Sequence, residues 1–230
     1  HNALPKYQKE AGLKVNHSNL CSEITLATDD DRTAVCCLSS VNLEEYDEWK
    51  HDDNFIPDLI RMLDNVISYF IENAPMHLAK AVYSASRERS LGLGAMGFHA
   101  YLQRHNIPFE SASAKGANMK MFQHIKWRAV NATKQLAEER GECPDGVGHG
   151  VRNAHLLAVA PNASSSIICG NTSPSIEPYR ANAFTQKTKS GSSLLKNEYL
   201  EHVLQELDQD TDEVWKSIIT NNGSVQHLDF

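Results

Sequence analysis

The chain has 230 residues, of which 41% are apolar, and its formal net charge is −7 at neutral pH. That is enough apolar material for one sizeable core. The acidic balance, without a basic stripe, argues against nucleic acid as a direct partner, and no apolar run approaches the length needed to cross a membrane. Five scattered cysteines form a poor disulfide framework, which favours a reducing cytoplasm.

The first informative stretch is "SNLCSEITL", residues 18–26, which places Asn19, Cys21 and Glu23 at alternate positions. In an extended strand such residues share one face, whereas on a helix they diverge. Ile24 and the residues after it favour the extended form. We therefore expect a strand that presents an amide, a thiol and a carboxylate side by side. The alternative is a half-buried strand with an inert cysteine, because free cysteine is usually a core residue.

Extended and helical patterns alternate after this stretch. A polar turn at 27–33 leads to "TAVCCLSSVNL", residues 33–43, whose β-branched and small apolar residues predict a second strand. Residues 57–73 have an apolar stripe at helical spacing and predict a helix that Pro75 ends. A further helix is predicted over 76–89. Strands and helices in alternation indicate an α/β architecture.

The second half of the chain continues this alternation. Residues 90–110 predict a short apolar segment, a glycine turn and a helix, and residues 114–141 predict a long helix closed by a glycine. Residues 153–170, "NAHLLAVAPNASSSIICG", predict a strand followed by a turn of small residues. Two more helices are predicted over 197–207 and 212–219.

Residues 92–97, "GLGAMG", match the G-x-G-x-x-G pattern of dinucleotide-binding proteins letter for letter. That fingerprint requires a strongly hydrophobic strand just before it, but the preceding "YSASRERS" is polar. An acidic residue follows at Glu110, although not at the end of a convincing strand. The pattern therefore favours close backbone packing at a strand-to-helix turn, with a nicotinamide or flavin site as the weaker alternative.

The turn "APNASSSIICG", residues 160–170, places three hydroxyls at Ser164 to Ser166. Small residues let backbone N–H groups approach an anion, and a helix N-terminus adds its dipole. The turn is therefore a candidate phosphate site. A serine N-cap on an ordinary helix is an equally good interpretation of these residues taken alone.

The remaining cysteines and histidines give weaker signals. Cys36 and Cys37 are adjacent, and vicinal thiols rarely close a ring, so one of them could pair with a cysteine elsewhere. The local sequence favours two small strand residues, one on each face. The eleven histidines form no H-x-x-x-H or H-E-x-x-H pattern and the cysteines form no C-x-x-C, so a zinc site is unsupported.

Taken together, four ordered motifs resemble the large, catalytic subunit of class I ribonucleotide reductase. "SNLCSEI" is similar to the family's finger loop, and "AVCCLSSVNL" to the strand with one redox cysteine. "RERSLGLGAMGFHAYL" is similar to the family signature, and "APNASSSI" with "SIEPY" to the substrate phosphate loop. The resemblance runs over nearly the whole chain, and "AVCCLSSVNLEEYDEW" is most similar to tailed-phage versions of the enzyme.

The resemblance implies an α/β fold, namely the second half of a ten-stranded α/β barrel with a central finger loop. It implies one partial barrel domain over 1–230, with the finger loop at about 17–30 and the phosphate loop at about 160–168. In the family pattern, the second cysteine of the reducing pair and the allosteric specificity site lie upstream of residue 1. The radical-path tyrosines and the tail cysteines lie beyond Phe230. Both ends therefore look cut, and we expect the chain alone to be inactive.

The resemblance also implies a role for each site residue. Cys21 matches the cysteine that becomes a transient thiyl radical and abstracts the 3′ hydrogen of a ribonucleoside diphosphate. Glu23 matches the general base for the 3′ hydroxyl, and Asn19 the amide that binds the ribose. Cys36 matches one member of the reducing dithiol, and whether Cys37 can replace it is left open. The loop that holds the substrate's phosphates matches Asn162, Ala163, Ser164 and Ser165.

For the whole enzyme, the resemblance implies reduction of ribonucleoside diphosphates to 2′-deoxyribonucleoside diphosphates in the cytoplasm, or in the host cytoplasm for a phage protein. The radical would come from the metal-containing small subunit and the electrons from thioredoxin or glutaredoxin, with no metal or cofactor in this chain. The remaining part of the large subunit would complete a homodimer. A non-catalytic assembly fragment of the same subunit is the second interpretation, and a nucleotide-cofactor dehydrogenase is the third.

Overall fold

Two parallel strands lie at the centre of the fold. A computed structural model describes residues 4–189 and 191–230, so residues 1–3 and 190 of the predicted domain lie outside the described residues. The central pair is β1, Cys37–Asn42, and β2, Leu91–Met96. A separate antiparallel hairpin consists of β3, Ala183–Thr188, and β4, Gly191–Lys196.

Nine helices surround these strands in the described ranges, three of them only four or five residues long. They are α1 (Lys6–Glu10), α2 (Tyr46–Trp49), α3 (Phe55–Asn73), α4 (Ala79–Glu88), α5 (Phe98–Arg104), α6 (Ala112–Arg140), α7 (Ser165–Ile168), α8 (Glu198–Glu206) and α9 (Asp212–Thr220). Short 3-10 turns lie at Leu43–Glu45, Met76–Leu78 and Pro144–Gly146. No helix in the part of the chain that the structure describes is long and apolar enough to cross a membrane.

Strand β2 lies between β1 and a third extended segment. Its register pairs Leu38 with Gly92 and Ser40 with Gly94 on the β1 side. On its other edge, Leu93 makes a parallel bridge to Leu157. All six residues of β2 are buried, as expected for a parallel strand with neighbours on both edges.

Glycine is required in β2 because neighbouring chains approach it closely. A Cβ added at Gly92 would lie 2.4 Å from Cδ2 of Leu38, and one at Gly94 would lie 2.3 Å from the carbonyl oxygen of Ala158. Gly97 has a φ of +80° and makes the turn into α5. The packing interpretation of "GLGAMG" is therefore confirmed. The dinucleotide interpretation is wrong, because two of the glycines lie inside a buried strand and not in an open loop after it.

The two faces of the strand pair have different partners. On the outer face, Val41, Leu91 and Leu93 belong to the main hydrophobic core together with buried residues of α3 and α6. On the inner face, Cys36, Leu38 and Ser40 surround the positions where Gly92 and Gly94 lack side chains. Helices thus pack against the outer face of the strand pair, and loops pack against its inner face.

The helices largely follow the sequence pattern, whereas the strands follow it less well. The helices predicted over 57–73, 114–141, 197–207 and 212–219 are confirmed within a few residues as α3, α6, α8 and α9. The strand predicted over 33–43 begins only at Cys37. The hairpin of β3 and β4 was not predicted, because its alternation of apolar and polar residues is weak.

The strand predicted from residue 153 is reduced to one bridge. The N–H of Leu91 donates to His155 O at 2.9 Å, and the N–H of Leu93 donates to Leu156 O at 2.8 Å. Leu91 and Leu93 are two positions apart in β2, but the residues to which they bond, His155 and Leu156, are adjacent. This mismatch interrupts the regular ladder, in the manner of a β-bulge.

A buried carboxylate joins the helices to the start of β2. Asp64 in α3 accepts hydrogen bonds from Arg89 Nε at 2.9 Å, Asn153 Nδ2 at 3.0 Å and Arg140 Nη1 at 2.9 Å. Burial by itself would raise the pKa of Asp64, but the Arg89 charge and these hydrogen bonds outweigh it, so the pKa is lowered. Asp64 therefore remains ionised and fixes Arg89, two positions before β2 begins.

We expect Gly94→Ala to destabilise the fold, because the new methyl group would overlap backbone that is held on both sides. Overpacking of this kind costs about 1–3 kcal/mol or more. Urea unfolding followed by circular dichroism measures it. The control is Gly116→Ala in α6, where an added Cβ meets nothing within 4 Å. That change should leave stability equal or about 0.5–1 kcal/mol higher. Equal stability for the two variants would contradict the packing requirement.

Candidate finger-loop and thiol site

Residues 11–36 form a long excursion without helix or strand, and its two arms are fastened together. The Asn16 N–H donates to Thr28 Oγ1 at 3.0 Å, and the Thr28 N–H donates to the carbonyl oxygen of Lys14 at 3.0 Å. These bonds define a loop with its tip at residues 18–22. We call it the finger loop.

The prediction of an extended strand over residues 18–26 is wrong. The Ser22 N–H donates to Asn19 O at 3.2 Å, and Ser22 has a φ of +58°, so the chain turns back at the tip. The Asn19 side chain also accepts from the Ile24 N–H at 3.4 Å. Short polar side chains that bond to nearby backbone compete with strand formation, and within residues 4–189 and 191–230 no strand pairs with this segment.

The turn changes where the three predicted site residues lie. Cys21 is exposed at the tip, beside Leu20, whose exposed fraction is 100%. Alternate positions therefore do not share one face here. Asn19 holds the turn through its backbone carbonyl and its side-chain oxygen. Its Nδ2 has no hydrogen-bond partner among the described residues, so this donor is available to a ligand.

The returning arm of the finger loop packs on the inner face of the sheet. Ile24, Leu26 and Ala158 form a small buried cluster, with Cys36 packed partly against it. Glu23 comes immediately before this cluster and is half-buried. Its Oε2 atom is buried and has no hydrogen-bond partner in the described ranges. A buried acceptor of this kind is costly unless a ligand or a further chain segment satisfies it.

Cys36 lies close enough to Glu23 for the charge of Glu23 to affect the pKa of the Cys36 thiol. Burial raises the pKa of the Cys36 thiol to about 12, and the charges of Cys37, Glu88 and Glu23 act in the same direction. The thiol is therefore fully protonated near neutral pH. Such a group retains its S–H hydrogen and is poorly suited to act as a resting thiolate nucleophile.

A cavity of about 660 Å³ lies between the finger loop and β1. Asn19, Cys36 and Leu38 are among the residues that line it. Cys21 and Glu23 are not among its lining residues. The structure thus brings Asn19, Glu23 and Cys36 together and places the Cys21 thiol outside, at the tip.

The adjacent thiols point to opposite faces. The Cys36 sulfur lies 3.1 Å from the position of a Cβ at Gly92, on the inner face. Cys37 packs against the main core on the outer face, where burial raises its pKa and the charge of Arg89 opposes this rise. Cys36 lines the cavity and Cys37 does not, which favours Cys36, while the assignment of Cys36 to the reducing pair stays a prediction.

The predicted phosphate loop is fastened to both central strands. Asn162 has a φ of +54°, and its Nδ2 donates to Ser40 Oγ at 2.9 Å and to Ala95 O at 3.1 Å. The Ser165 hydroxyl donates to Asn162 Oδ1 at 3.2 Å. The Asn162 side chain therefore shapes the loop, while Ala163, Ser164 and Ser165 are exposed.

The serine N-cap interpretation of this loop is wrong. Ser164 is the residue before α7, but its side chain makes no capping hydrogen bond. Ala163 and Ser164 instead line a second cavity of about 730 Å³, bounded by the hairpin and α9. In this chain the loop and Cys36 therefore face two different cavities.

Three arginine and aspartate side chains, which sequence reasoning missed, fix the base of the finger loop. The buried Arg32 donates to both oxygens of Asp145, at 2.7 Å and 3.0 Å, and Arg87 Nε donates to the same carboxylate at 2.8 Å. The charges are more than 50 positions apart in sequence, so no local pattern indicated them. Bidentate arginine–carboxylate pairs set geometry as well as energy, and this one holds the loop against α4.

Comparisons with known proteins show the family to which the chain belongs. The family model described as "Ribonucleotide reductase, barrel domain" matches residues 2–146 and 144–230. The chain belongs to the ribonucleotide reductase barrel family. The α/β fold and the family expected from the four motifs are thereby confirmed.

Relatives in this reductase family include viral proteins. A protein of frog virus 3 (isolate Goorha) is 56% identical over 223 residues, covering 96% of this chain and 39% of that protein. The ribonucleoside-diphosphate reductase large subunit of invertebrate iridescent virus 3 is 50% identical over 229 residues, covering 98% of this chain and 36% of that protein. The names of these two viruses point to animal hosts, so a viral relationship is supported and the phage likeness stays a prediction.

A solved reductase structure matches the fold closely. The class Id ribonucleotide reductase alpha subunit of Actinobacillus ureae superposes with a TM-score of 0.90 at 41% identity, covering 99% of this chain and 42% of that chain. The chain thus spans well under half the length of these relatives. Among the described residues, no group of three or more His, Cys, Asp or Glu side chains could hold a metal ion.

Thiol alkylation tests where the structure places the cysteines. We expect iodoacetamide at pH 8 to modify the exposed Cys21 and Cys169 first, and Cys36 and Cys143 much more slowly. Burial raises the pKa of these two thiols to about 12 and about 11, and only the thiolate reacts. Raising the pH from 7 to 9 should therefore leave both mostly unmodified. Peptide mass spectrometry measures the rates, with the urea-unfolded chain as control. Equal rates for Cys36 and Cys21 would refute the placement.

Proposed function

We propose that this chain is the part of a ribonucleotide reductase large subunit that binds ribonucleoside diphosphates and reduces them to 2′-deoxyribonucleoside diphosphates. The relatives are named as ribonucleoside-diphosphate reductase large subunits, which supports the reaction class. The observation on which the proposal rests is the buried, unpartnered Oε2 of Glu23 beside the protonated Cys36 thiol. A nearby cavity lined by Asn19 and Cys36 offers room for a ligand.

Cys21 would begin the reaction from the tip of the finger loop. The metal-containing small subunit would supply the radical chemistry, and Cys21 would take the 3′ hydrogen of the ribose as its thiyl form. The tip turn held by Asn19 fixes the backbone on both sides of this thiol. Positioning of this kind decides whether a reactive group meets the intended C–H bond.

Glu23 and Asn19 would bind the same sugar. The free Oε2 of Glu23 is an acceptor for the proton of the 3′ hydroxyl, which must move as the 2′ hydroxyl leaves. Asn19 uses its Oδ1 for the Ile24 N–H, which leaves its Nδ2 to donate to a ribose hydroxyl. One residue would thus accept from the sugar and the other would donate to it.

Cys36 would supply half of the reducing power. Two thiols become one disulfide and deliver two electrons, the 2′ hydroxyl departs as water, and hydrogen takes its place at C2′. The second thiol would come from the remaining part of the large subunit, and thioredoxin or glutaredoxin would reduce the disulfide again. Because Cys36 is protonated, it has the hydrogen that this reaction consumes.

The exposed residues of the phosphate loop would bind the diphosphate. Ala163, Ser164 and Ser165 present small side chains at the start of α7, so backbone N–H groups and two hydroxyls are accessible. The active assembly would be a homodimer of the large subunit with the small subunit, working in the cytoplasm of the cell or of a viral host. In this chain we propose no metal or other resident cofactor.

A non-catalytic role in assembly is the second candidate. The observation that favours it is the fully exposed Leu20 at the finger-loop tip, which is an apolar group with no cover in the described residues. In an assembly fragment, however, the Cys21 thiol and the Glu23 carboxyl would be dispensable. The variants below therefore separate the two candidates.

In the full-length large subunit assembled with its small subunit, Cys21→Ser should abolish turnover, because a hydroxyl does not form the required radical. Glu23→Gln should lower kcat by about 10²–10⁴-fold, as expected when a general base is removed. Turnover of a radiolabelled ribonucleoside diphosphate measures both. The control is Cys169→Ser, an exposed cysteine outside the proposed reaction. Retained turnover in Cys21→Ser would support the assembly role.

The adjacent cysteines provide a matched pair of variants. Cys36→Ser should abolish multiple turnovers with thioredoxin as reductant, because no disulfide can form. Cys37→Ser should keep turnover within about twofold of the parent, since its thiol faces the main core. The same radiolabel assay, with thermal unfolding as a check on folding, compares them. Loss of turnover in Cys37→Ser at unchanged stability would show that the face assignment is wrong.

A further inference from the structure

A serine on β1 makes a reciprocal contact with the phosphate loop. Asn162 Nδ2 donates to Ser40 Oγ at 2.9 Å, and the Ser40 hydroxyl lies 3.1 Å from Asn162 Oδ1, to which it can donate. A hydroxyl has one donor and two acceptor positions, so one serine can make both contacts. These residues are 122 positions apart in sequence. The contact therefore fastens two distant segments of the chain.

The same two polar atoms of the Asn162 side chain make further contacts that reinforce this attachment. Its Nδ2 also lies 3.1 Å from both Ala95 O in β2 and Ala160 O within its own loop, so its two hydrogens are shared among three acceptors. Its Oδ1 also accepts from Ser165. The amide is thus fully used inside the protein, and it fixes the left-handed backbone at Asn162 from which the exposed residues of the loop extend.

Ser40 and Cys36 lie on the same face of the same strand segment. The nearest atoms to a Cβ at Gly92 include the Cys36 sulfur, and those nearest to a Cβ at Gly94 include Ser40 Oγ at 3.2 Å. They are four positions apart, which is two steps of the strand repeat. The loop is therefore held by Ser40 within β1, and the Cys36 thiol lies on the residue that immediately precedes the same strand.

We propose that Ser40 is a positioning residue for substrate binding. Through Asn162 it holds the phosphate loop, Ala163 to Ser165, in the conformation that receives the diphosphate. It also fixes that loop relative to the strand with the reducing thiol. This inference rests on the proposed reductase function and adds to it a residue that touches neither substrate nor reacting atoms.

The test compares steady-state kinetics of the full-length large subunit with its small subunit. Ser40→Ala should raise KM for cytidine diphosphate about three- to tenfold, since one internal hydrogen bond is worth roughly that factor. The inhibition constant of inorganic pyrophosphate, as a competitor, should rise by the same factor. The value of kcat should stay within twofold, because the thiols are untouched.

Ser39→Ala is the matched control, since Ser39 alternates with Ser40 and its side chain has no hydrogen-bond partner among the described residues. It should leave KM and the pyrophosphate constant unchanged. Asn162→Ala should raise KM as Ser40→Ala does, and the double variant should add little more, because the two side chains act as one unit.

The outcomes separate this inference from the function on which it rests. Absence of turnover in the parent assembly would overturn the reductase proposal. An active parent with unchanged KM in Ser40→Ala would overturn the positioning role alone. A rise in KM that adds fully in the double variant, or an equal rise in Ser39→Ala, would also overturn it. A shared, non-additive rise at unchanged thermal stability supports it.

Discussion

The whole arrangement depends on the close approach of three chain segments at β2. Gly92 and Gly94 have no side chains on the inner face, so Leu38 and the carbonyl of Ala158 occupy the space that a Cβ would need. Leu91 and Leu93 fill the outer face and join the helical core. The outer face of β2 thus has large apolar side chains that pack into the core. Its inner face has no side chains at the two glycines, so loops can approach the backbone there.

The loops on this inner face obtain their positions from that geometry. The return arm of the finger loop buries Ile24 and Leu26 against Ala158, which places Glu23 beside Cys36. The predicted phosphate loop is fastened through Asn162 to Ser40 in β1 and Ala95 in β2. The positions of both loops are therefore fixed by contacts at the same pair of strands, although the loops face separate cavities in this chain.

Electrostatic contacts hold the loops and strands from outside the site. The Asp64 carboxylate binds Arg89 just before β2, and Asp145 binds Arg32 at the base of the finger loop. Buried charge pairs add little net stability compared with apolar packing, but removing one partner leaves an uncompensated charge. Their main effect here is to fix the position of Arg89, shortly before β2, and of Arg32, shortly before Cys36.

The sequence by itself determined the helices, the close packing at "GLGAMG" and the chemical groups of the site. Helical periodicity and glycine patterns are local properties, so they can be recognised in a short window of the amino-acid sequence. The family followed from four motifs in order, each with its own residues. Even the position of Asn19, Cys21 and Glu23 within one short segment was readable.

Tertiary structure alone decided how those groups are presented. The alternation around Cys21 suggested a strand, but a strand needs a partner, and the Asn19 hydrogen bonds made a turn instead. The sequence predicted that Cys36 and Cys37 face opposite sides, but only the strand register showed that Cys36 lies on the inner face and Cys37 against the main core. The Ser40–Asn162 contact joins residues 122 positions apart, and no local pattern encodes a contact that depends on which distant segments the core brings together.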